Sequence, residues 1–84
     1  MNQDKVRAAQ KKRAGMILEY RTGSWWMHSA TRKKYQIFTV SIDEKTLKPF
    51  IVYGDMETGW TWHRPLGGGI NGWNDEVTLD DGTK

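Results

Sequence analysis

Short apolar runs alternate with turn residues from position 25 to the end of the chain. The longest run, residues 35–42, is rich in aromatic and β-branched side chains, and residues 43–46 follow it as a polar turn. Runs of this length and spacing are typical of antiparallel strands joined by short connections. The pattern predicts a small antiparallel barrel or meander over residues 23–84, with further strands at positions 25–28, 50–53, 60–63 and 76–79.

The first 22 residues have a different pattern, in which strong helix formers dominate. Residues 5–14 favour a helix, and Gly15 stands where a helix commonly ends. If the helix tolerates Gly15, an apolar stripe continues at helical spacing as far as Tyr20. The stripe is thin, so the helix needs a neighbour to pack on. We expect residues 1–22 to form a basic helical segment that serves association or polyanion affinity rather than the core of the β domain.

Charge is divided unevenly along the chain. Residues 1–34 carry a net charge of +7, and residues 35–84 carry a net charge of −4. This division favours contact with a polyanion on one face, or head-to-tail self-association into a homo-oligomer. A solvated basic helix followed by an acidic tail explains it equally well.

Length and cysteine content exclude several classes of protein. With 84 residues the chain is long enough for one small core. It has no cysteine, which excludes disulfides, thiolate metal sites and cysteine catalysis. The start is polar and cationic with no apolar run behind it, so neither a signal peptide nor a membrane anchor is predicted. We expect a cytoplasmic protein without membrane contact.

Five tryptophans are more than a β domain of this size can enclose. Strand alternation sends Trp25 and Trp26 to opposite faces, and it sets Trp60 and Trp62 on the same face. At least one or two rings should therefore be accessible. Rings beside lysine and arginine commonly form a platform for a base or a nucleotide. Core packing and ordinary protein interfaces are the simpler use of tryptophan.

A glycine-rich stretch supplies a second signal for anion binding. Residues 67–69 are consecutive glycines, which can turn several backbone N–H groups toward one point. The nearby Arg64 guanidinium can contact a phosphate bidentately. A flexible turn is the simpler explanation of the glycines. The candidate ligand-binding residues are Trp26, Arg32, Lys34, Trp60, Trp62, His63, Arg64, Gly68 and Trp73.

Signals for catalysis and metal binding are sparse. The two histidines, His28 and His63, have no partner at metal-ligand spacing, and no serine lies in a nucleophile elbow. An enzyme would need one of these histidines as a general base. The sequence favours a protein that acts by binding, with no catalytic residue, metal or cofactor predicted.

Three stretches carry recognisable motifs. Residues 35–53 fit without a gap the spacing of Y-x-V followed by E-T-x-x-x-x-V-V-Y, with Thr46 at the T. Residues 62–65 match W-x-R-P, and residues 76–82 look like a closing strand. Together they resemble a family of small bacterial and phage domains of unknown function, over residues 25–82. His28 stands where that family has H-Y-K-G, but Y-K-G is missing. The resemblance implies an SH3-like barrel and no known activity.

We therefore expect a mainly β protein, a small SH3-like antiparallel barrel with an N-terminal basic α-helix, that acts as a non-enzymatic binding module. The predicted ligand is an anionic nucleotide held by tryptophan stacking, Arg64 and the glycine loop. A phage protein of this kind would act in the host cytoplasm as an inhibitor or sponge of host defence, by analogy alone. A protein partner bound by exposed tryptophan and a nucleic acid bound by the barrel are the alternatives.

Overall fold

The computed structural model describes residues 3–66 and 72–79 of the chain. A long helix, α1, precedes four strands, and a short helix, α2, leads into the last strand, β5. Their bounds are α1 (Gln3–Tyr20), β1 (Trp25–His28), β2 (Lys34–Ile42), β3 (Pro49–Asp55), β4 (Thr61–Pro65), α2 (Trp73–Glu76) and β5 (Val77–Leu79). The protein is mainly β with an N-terminal helix, as the sequence predicts.

The five strands form one antiparallel sheet in the order β4-β3-β2-β1-β5. β2 is the longest strand: its first residues pair with β1, and nearly its whole length pairs with β3. β4 and β5 lie at the two edges and do not pair with each other in the described part of the chain. Strand pairing therefore does not close the sheet into a barrel.

A β-bulge interrupts β2 at Phe38, where the register with β3 shifts between Ile37 and Thr39. Such a bulge bends the strand, and it allows both Ile37 and Val40 to be buried in the core. The Phe38 ring lies across Gly54 of β3. A Cβ added to Gly54 would stand only 2.5 Å from the ring atom Cζ. A side chain at position 54 would therefore force the partly exposed Phe38 ring to move.

Aromatic rings make up most of the core. Trp73 of α2 is fully buried, and its ring centroid lies 5.7 Å from that of Trp26 and 4.5 Å from that of Tyr53. Tyr20 packs on Trp26, and Tyr35 packs on Tyr53. Contacts of this kind add roughly 0.5–1.5 kcal/mol per pair beyond the burial of area. We call Tyr20, Trp26, Tyr35, Tyr53 and Trp73 the aromatic cluster.

Helix α1 continues through Gly15 and covers part of β2 with its second half. Arg13 donates from Nε to the carbonyl of Val40 and from Nη2 to Thr39 Oγ1, the latter at 3.3 Å. Tyr20, at the end of the helix, is buried in the aromatic cluster, and its hydroxyl bonds to the Asn74 side chain. Helix α1 thus reaches the core through Tyr20, with Met16 packed against it, while Leu18 and most residues before Arg13 are exposed.

Candidate functional site

Two exposed tryptophans, Trp60 and Trp62, pack against each other at the start of β4. Their ring centroids are 5.9 Å apart in edge-to-face geometry, and 61% and 48% of their surfaces are exposed. Trp62 lies opposite Tyr53 in the β3–β4 ladder, so it projects from the same face of the sheet as the aromatic cluster. We call Trp60 and Trp62 the tryptophan pair.

The hydrogen bonds at the two ends of β4 establish the direction of its backbone groups. The Asp55 N–H donates to the Trp60 carbonyl at 2.9 Å, and the Leu66 N–H donates to the Pro49 carbonyl at 3.2 Å. Backbone groups alternate in direction along an antiparallel strand. The even-numbered residues of β4 therefore direct their N–H and C=O groups toward β3.

The odd-numbered residues of β4 direct their backbone groups away from the sheet. Thr61 and His63 each present one N–H and one C=O on this outward edge. Pro65 occupies the same outward register, where its missing N–H costs no bond within the sheet. No strand lies on the outer side of β4 in the described part of the chain. β4 is therefore an open edge with donors and acceptors on both sides of Trp62.

The cations on the face of the tryptophan pair are paired with carboxylates. Lys33 Nζ lies 3.7 Å from Oδ2 of Asp55, a buried residue whose other carboxylate oxygen accepts backbone N–H groups from the following turn. Arg64 Nη2 lies 3.0 Å from Glu76 Oε2. Lys33 and Arg64 thus each have a carboxylate partner, which offsets their positive charge on this face.

Glu76 is the centre of a small polar cluster that joins β1, β4 and α2. Its Oε2 accepts hydrogen bonds from His28 Nε2 and Arg64 Nη2, each at 3.0 Å. His28 Nδ1 accepts from the N–H groups of Ala30 and Thr31 at 3.1 and 3.2 Å, so Nε2 carries the hydrogen donated to Glu76. The hydrogen bonds from His28 and then from Arg64 lower the pKa of Glu76. This cluster ties the edge strand β4 to the residue before β5.

The structure distributes the predicted ligand-binding residues among several places. Trp73 has no exposed surface, and Trp26 packs between Tyr20 and Trp73, so these two rings belong to the core. Trp60 and Trp62 are together and exposed. Arg64 lies on their face of the sheet, where it bonds to Glu76.

The remaining predicted residues lie apart from the tryptophan pair. Strand alternation places Lys34 and His63 on the opposite face of the sheet, and the His63 ring packs edge-on against Phe50 at 5.4 Å. Arg32 is exposed in the turn between β1 and β2, with φ of 64°. Gly68 lies outside the described residues. Among the predicted ligand-binding residues that the structure describes, Trp60, Trp62 and Arg64 thus lie on one face and form one site.

Two adjoining grooves lie at the far end of the sheet, and no sequence motif predicts them. The smaller, about 150 Å³, is lined by Ser41, Asp43, Phe50 and His63, and the larger, about 520 Å³, shares Asp43 and Phe50 with it. The Asp43 carboxylate accepts N–H bonds from Thr46 and Lys45, which lower its pKa. Only the register of β3 against β4 brings Phe50 and His63 together.

The part of the chain that the structure describes contains neither a metal-binding group of side chains nor a membrane-spanning helix. Within residues 3–66 and 72–79, no group of three or more His, Asp or Glu side chains is placed to hold a metal ion. None of the helices in these ranges is long and apolar enough to cross a membrane.

Comparison with known proteins gives no relative of this chain. It matches no family model, no curated protein and no solved structure. The resemblance to the family of bacterial and phage domains therefore stays a prediction from motifs. Function has to be argued from the geometry of the site.

Proposed function

We propose that this protein is a non-enzymatic binding module whose contact surface is the tryptophan pair with the outward edge of β4, and whose ligand is a protein chain. The exposure of two packed tryptophan rings on an open strand edge carries the proposal. Tryptophan is concentrated at the centres of protein interfaces. An open strand edge also offers hydrogen bonds that an extended segment of a partner completes.

The charge around the tryptophan pair favours a protein over a polyanion. A nucleotide or a nucleic acid is held largely by cations that meet its phosphates. Lys33 and Arg64 lie on this face, but each is paired with a carboxylate. A phosphate would compete with Glu76 for the Arg64 guanidinium. An uncharged peptide backbone meets no such competition.

An anionic nucleotide is the second candidate, and the position of Arg64 favours it. Trp62 and Arg64 project from the same face of β4, two residues apart. A base stacked on Trp62 would direct its phosphate toward the guanidinium, and stacking contributes roughly 1–3 kcal/mol per base. In this case the bond between Arg64 and Glu76 must open on binding.

We also propose that the sheet curls into an SH3-like barrel. The bulge at Phe38 supports this, because it bends β2 between its pairing with β1 and its pairing with β3. The bond between Arg64 and Glu76 supports it as well, since it links the edge strand β4 to the residue before β5. Nuclear Overhauser contacts in solution between β4 and β5 would test it, and their absence would favour an open sheet.

Selection of displayed peptides tests the choice of ligand class. A library of extended peptides is selected on the wild-type chain, and the peptides obtained are measured against a Trp60→Ala/Trp62→Ala variant. We expect binding to weaken by about tenfold or more, because truncating an interface tryptophan removes much of the binding energy. Trp25→Ala is the matched control, since Trp25 is also exposed but projects from the opposite face of the sheet.

Titration with nucleotides gives the opposing outcome. Strong quenching of tryptophan emission by a cyclic dinucleotide, with little dependence on salt, would assign the site to a nucleotide. Tight oligonucleotide binding with a logarithmic salt slope of about −0.7 to −0.9 per phosphate would assign it to a nucleic acid. Either result, with no peptide that depends on the tryptophan pair, would overturn the proposal of a protein ligand.

A further inference from the structure

The outward edge of β4 is complementary to a second copy of itself. When two such edges meet antiparallel about a two-fold axis, residues that face outward form the hydrogen-bonded pairs. With Thr61 opposite His63 of the second copy, both residues exchange N–H and C=O bonds, and the symmetric pair does the same. Shifting the register to set Thr61 opposite Pro65 leaves the Thr61 carbonyl without a donor, because proline has no N–H.

The same register covers the exposed rings. Trp62 then lies opposite Trp62 of the second copy, in the closer, non-hydrogen-bonded type of pair with Cα atoms about 4.5 Å apart. Trp60 lies opposite Arg64 of the second copy, whose guanidinium stays bonded to Glu76 of its own chain. All three side chains project from one face of the sheet, so backbone and side chains select the same register.

We infer that two copies of this chain associate through their β4 edges, antiparallel, with Trp62 at the two-fold axis. This inference rests on the proposed function, because it names a second copy as the protein that the tryptophan pair and the β4 edge bind. It differs from association through the basic and acidic halves of the chain, which would be head-to-tail.

The contrast between the two sheet edges supports this choice. Proteins commonly protect edge strands by making them short or by placing outward lysine, proline or a bulge on them. β5 is only three residues long. β4 is longer, its one cation, Arg64, projects inward to Glu76, and its proline stands at the end of the strand. β4 is therefore the edge that a partner strand can use.

The expected interface is small. A tryptophan presents on the order of 150–250 Å², so four half-exposed rings cover on the order of 300–500 Å². Stable interfaces bury about 1,200 Å² or more. The backbone bonds must supply much of the remaining specificity, and we expect a reversible dimer whose population rises with protein concentration.

Opposite charges at position 62 test the two-fold arrangement. Sedimentation of the full chain over a wide range of concentration should show a monomer–dimer equilibrium. Trp62→Lys and Trp62→Glu should each weaken it by about tenfold or more, because like charges then face each other directly. An equal mixture of the two variants should form heterodimers. Thr78→Lys and Thr78→Glu, on the exposed face of β5, should change nothing.

Single cysteines test the register, and the natural chain has none to interfere. The Cα separation of a hydrogen-bonded pair, about 5.5 Å, suits a disulfide. A mixture of Thr61→Cys and His63→Cys should therefore oxidise mainly to the mixed disulfide, and neither variant alone should cross-link efficiently. Circular dichroism melting of each variant checks that it is folded.

Three outcomes would overturn the inference. They are a wild-type chain that stays monomeric at every concentration, charge variants that associate as well as the wild type, and cross-linking of each cysteine variant chiefly with itself. If the wild-type chain stays monomeric, selected peptides whose binding depends on the tryptophan pair would still support the proposed function. Failure of the dimer inference is therefore distinguishable from failure of the proposed function.

Discussion

The aromatic cluster and the tryptophan pair are built from the same kind of ring contact, yet they differ in what covers them. Ring centroids in the cluster are 4.5 to 6.2 Å apart, and those of the pair are 5.9 Å apart. Tyr20 from α1 and Trp73 from α2 complete the cluster and seal it from water. No described element covers the pair. Coverage by a second layer, rather than ring geometry, separates a core from a binding surface here.

Truncating Trp73 should have the largest effect on the protein. Trp73→Ala removes the ring at the centre of the cluster and is expected to cost about 3–5 kcal/mol. A small domain has a total stability of only about 5–15 kcal/mol, so the variant should be largely unfolded or close to it. Denaturant unfolding followed by circular dichroism measures this loss.

Trp60→Ala is the matched control for that experiment, because it truncates the same residue type at an exposed position. A surface substitution usually changes stability by less than about 0.5 kcal/mol. Equal losses from the two variants would abolish the distinction between the cluster and the pair.

Arg64→Ala tests the polar cluster that lies between the two aromatic groups. The substitution leaves Glu76 with His28 alone and removes a half-buried side chain. We expect a modest loss of stability, because the substitution removes a charge-assisted hydrogen bond that solvent partly screens. Arg32→Ala, at an exposed turn position, should stay within about 0.5 kcal/mol. If both variants unfold at the same denaturant concentration, the bond between Arg64 and Glu76 contributes little to folding, and a ligand-binding role for Arg64 is favoured instead.

Acid should weaken the polar cluster before it affects the aromatic one. The pKa of Glu76 is lowered from its ordinary value of 4.5 by the bonds from His28 and Arg64. Its contribution to stability is therefore complete above pH 4.5 and is lost as the pH falls through the pKa of the folded state. Thermal melting of Glu76→Gln should show a shallower decline on the acid side. An unchanged decline would show that other carboxylates, such as Asp43, dominate.

Gly15→Ala should have a small effect, and it should be stabilising. Gly15 lies inside α1, and a Cβ added there meets no atom within 4 Å. Alanine should raise stability by about 0.5–1 kcal/mol, because glycine is a poor residue for a helix interior. Self-association through β4 should not change, since α1 covers the cluster and not the tryptophan pair. A destabilised variant would show that α1 is strained at this position.

The strands were predictable where the signal is local. β1 coincides with the predicted run at 25–28, and β2 begins one residue before its predicted start. The end of α1 was not determined by local preference. Glycine at position 15 indicates a stop, but burial of Tyr20 in the aromatic cluster offsets the cost of about 1 kcal/mol for an internal glycine.

The site was predictable only in part, because long-range pairing determines it. Alternation alone placed Trp60 and Trp62 on one face. Nothing in the sequence joins His28 to Glu76, which is 48 positions away, or shows that Glu76 engages Arg64. Trp73 and Trp62 look alike as sequence positions. Their difference arises because α2 turns Trp73 into the core.

The close contact between Phe38 and Gly54 has a consequence for the evolution of this fold. A side chain at position 54 would have to displace the Phe38 ring, so Gly54→Ala should be accommodated more easily once Phe38→Ala has removed that ring. Substitutions at the two positions are therefore not independent. Among sequences that descend from the same ancestor, positions 38 and 54 should covary, and a chain with a larger residue at 54 should carry a small one at 38.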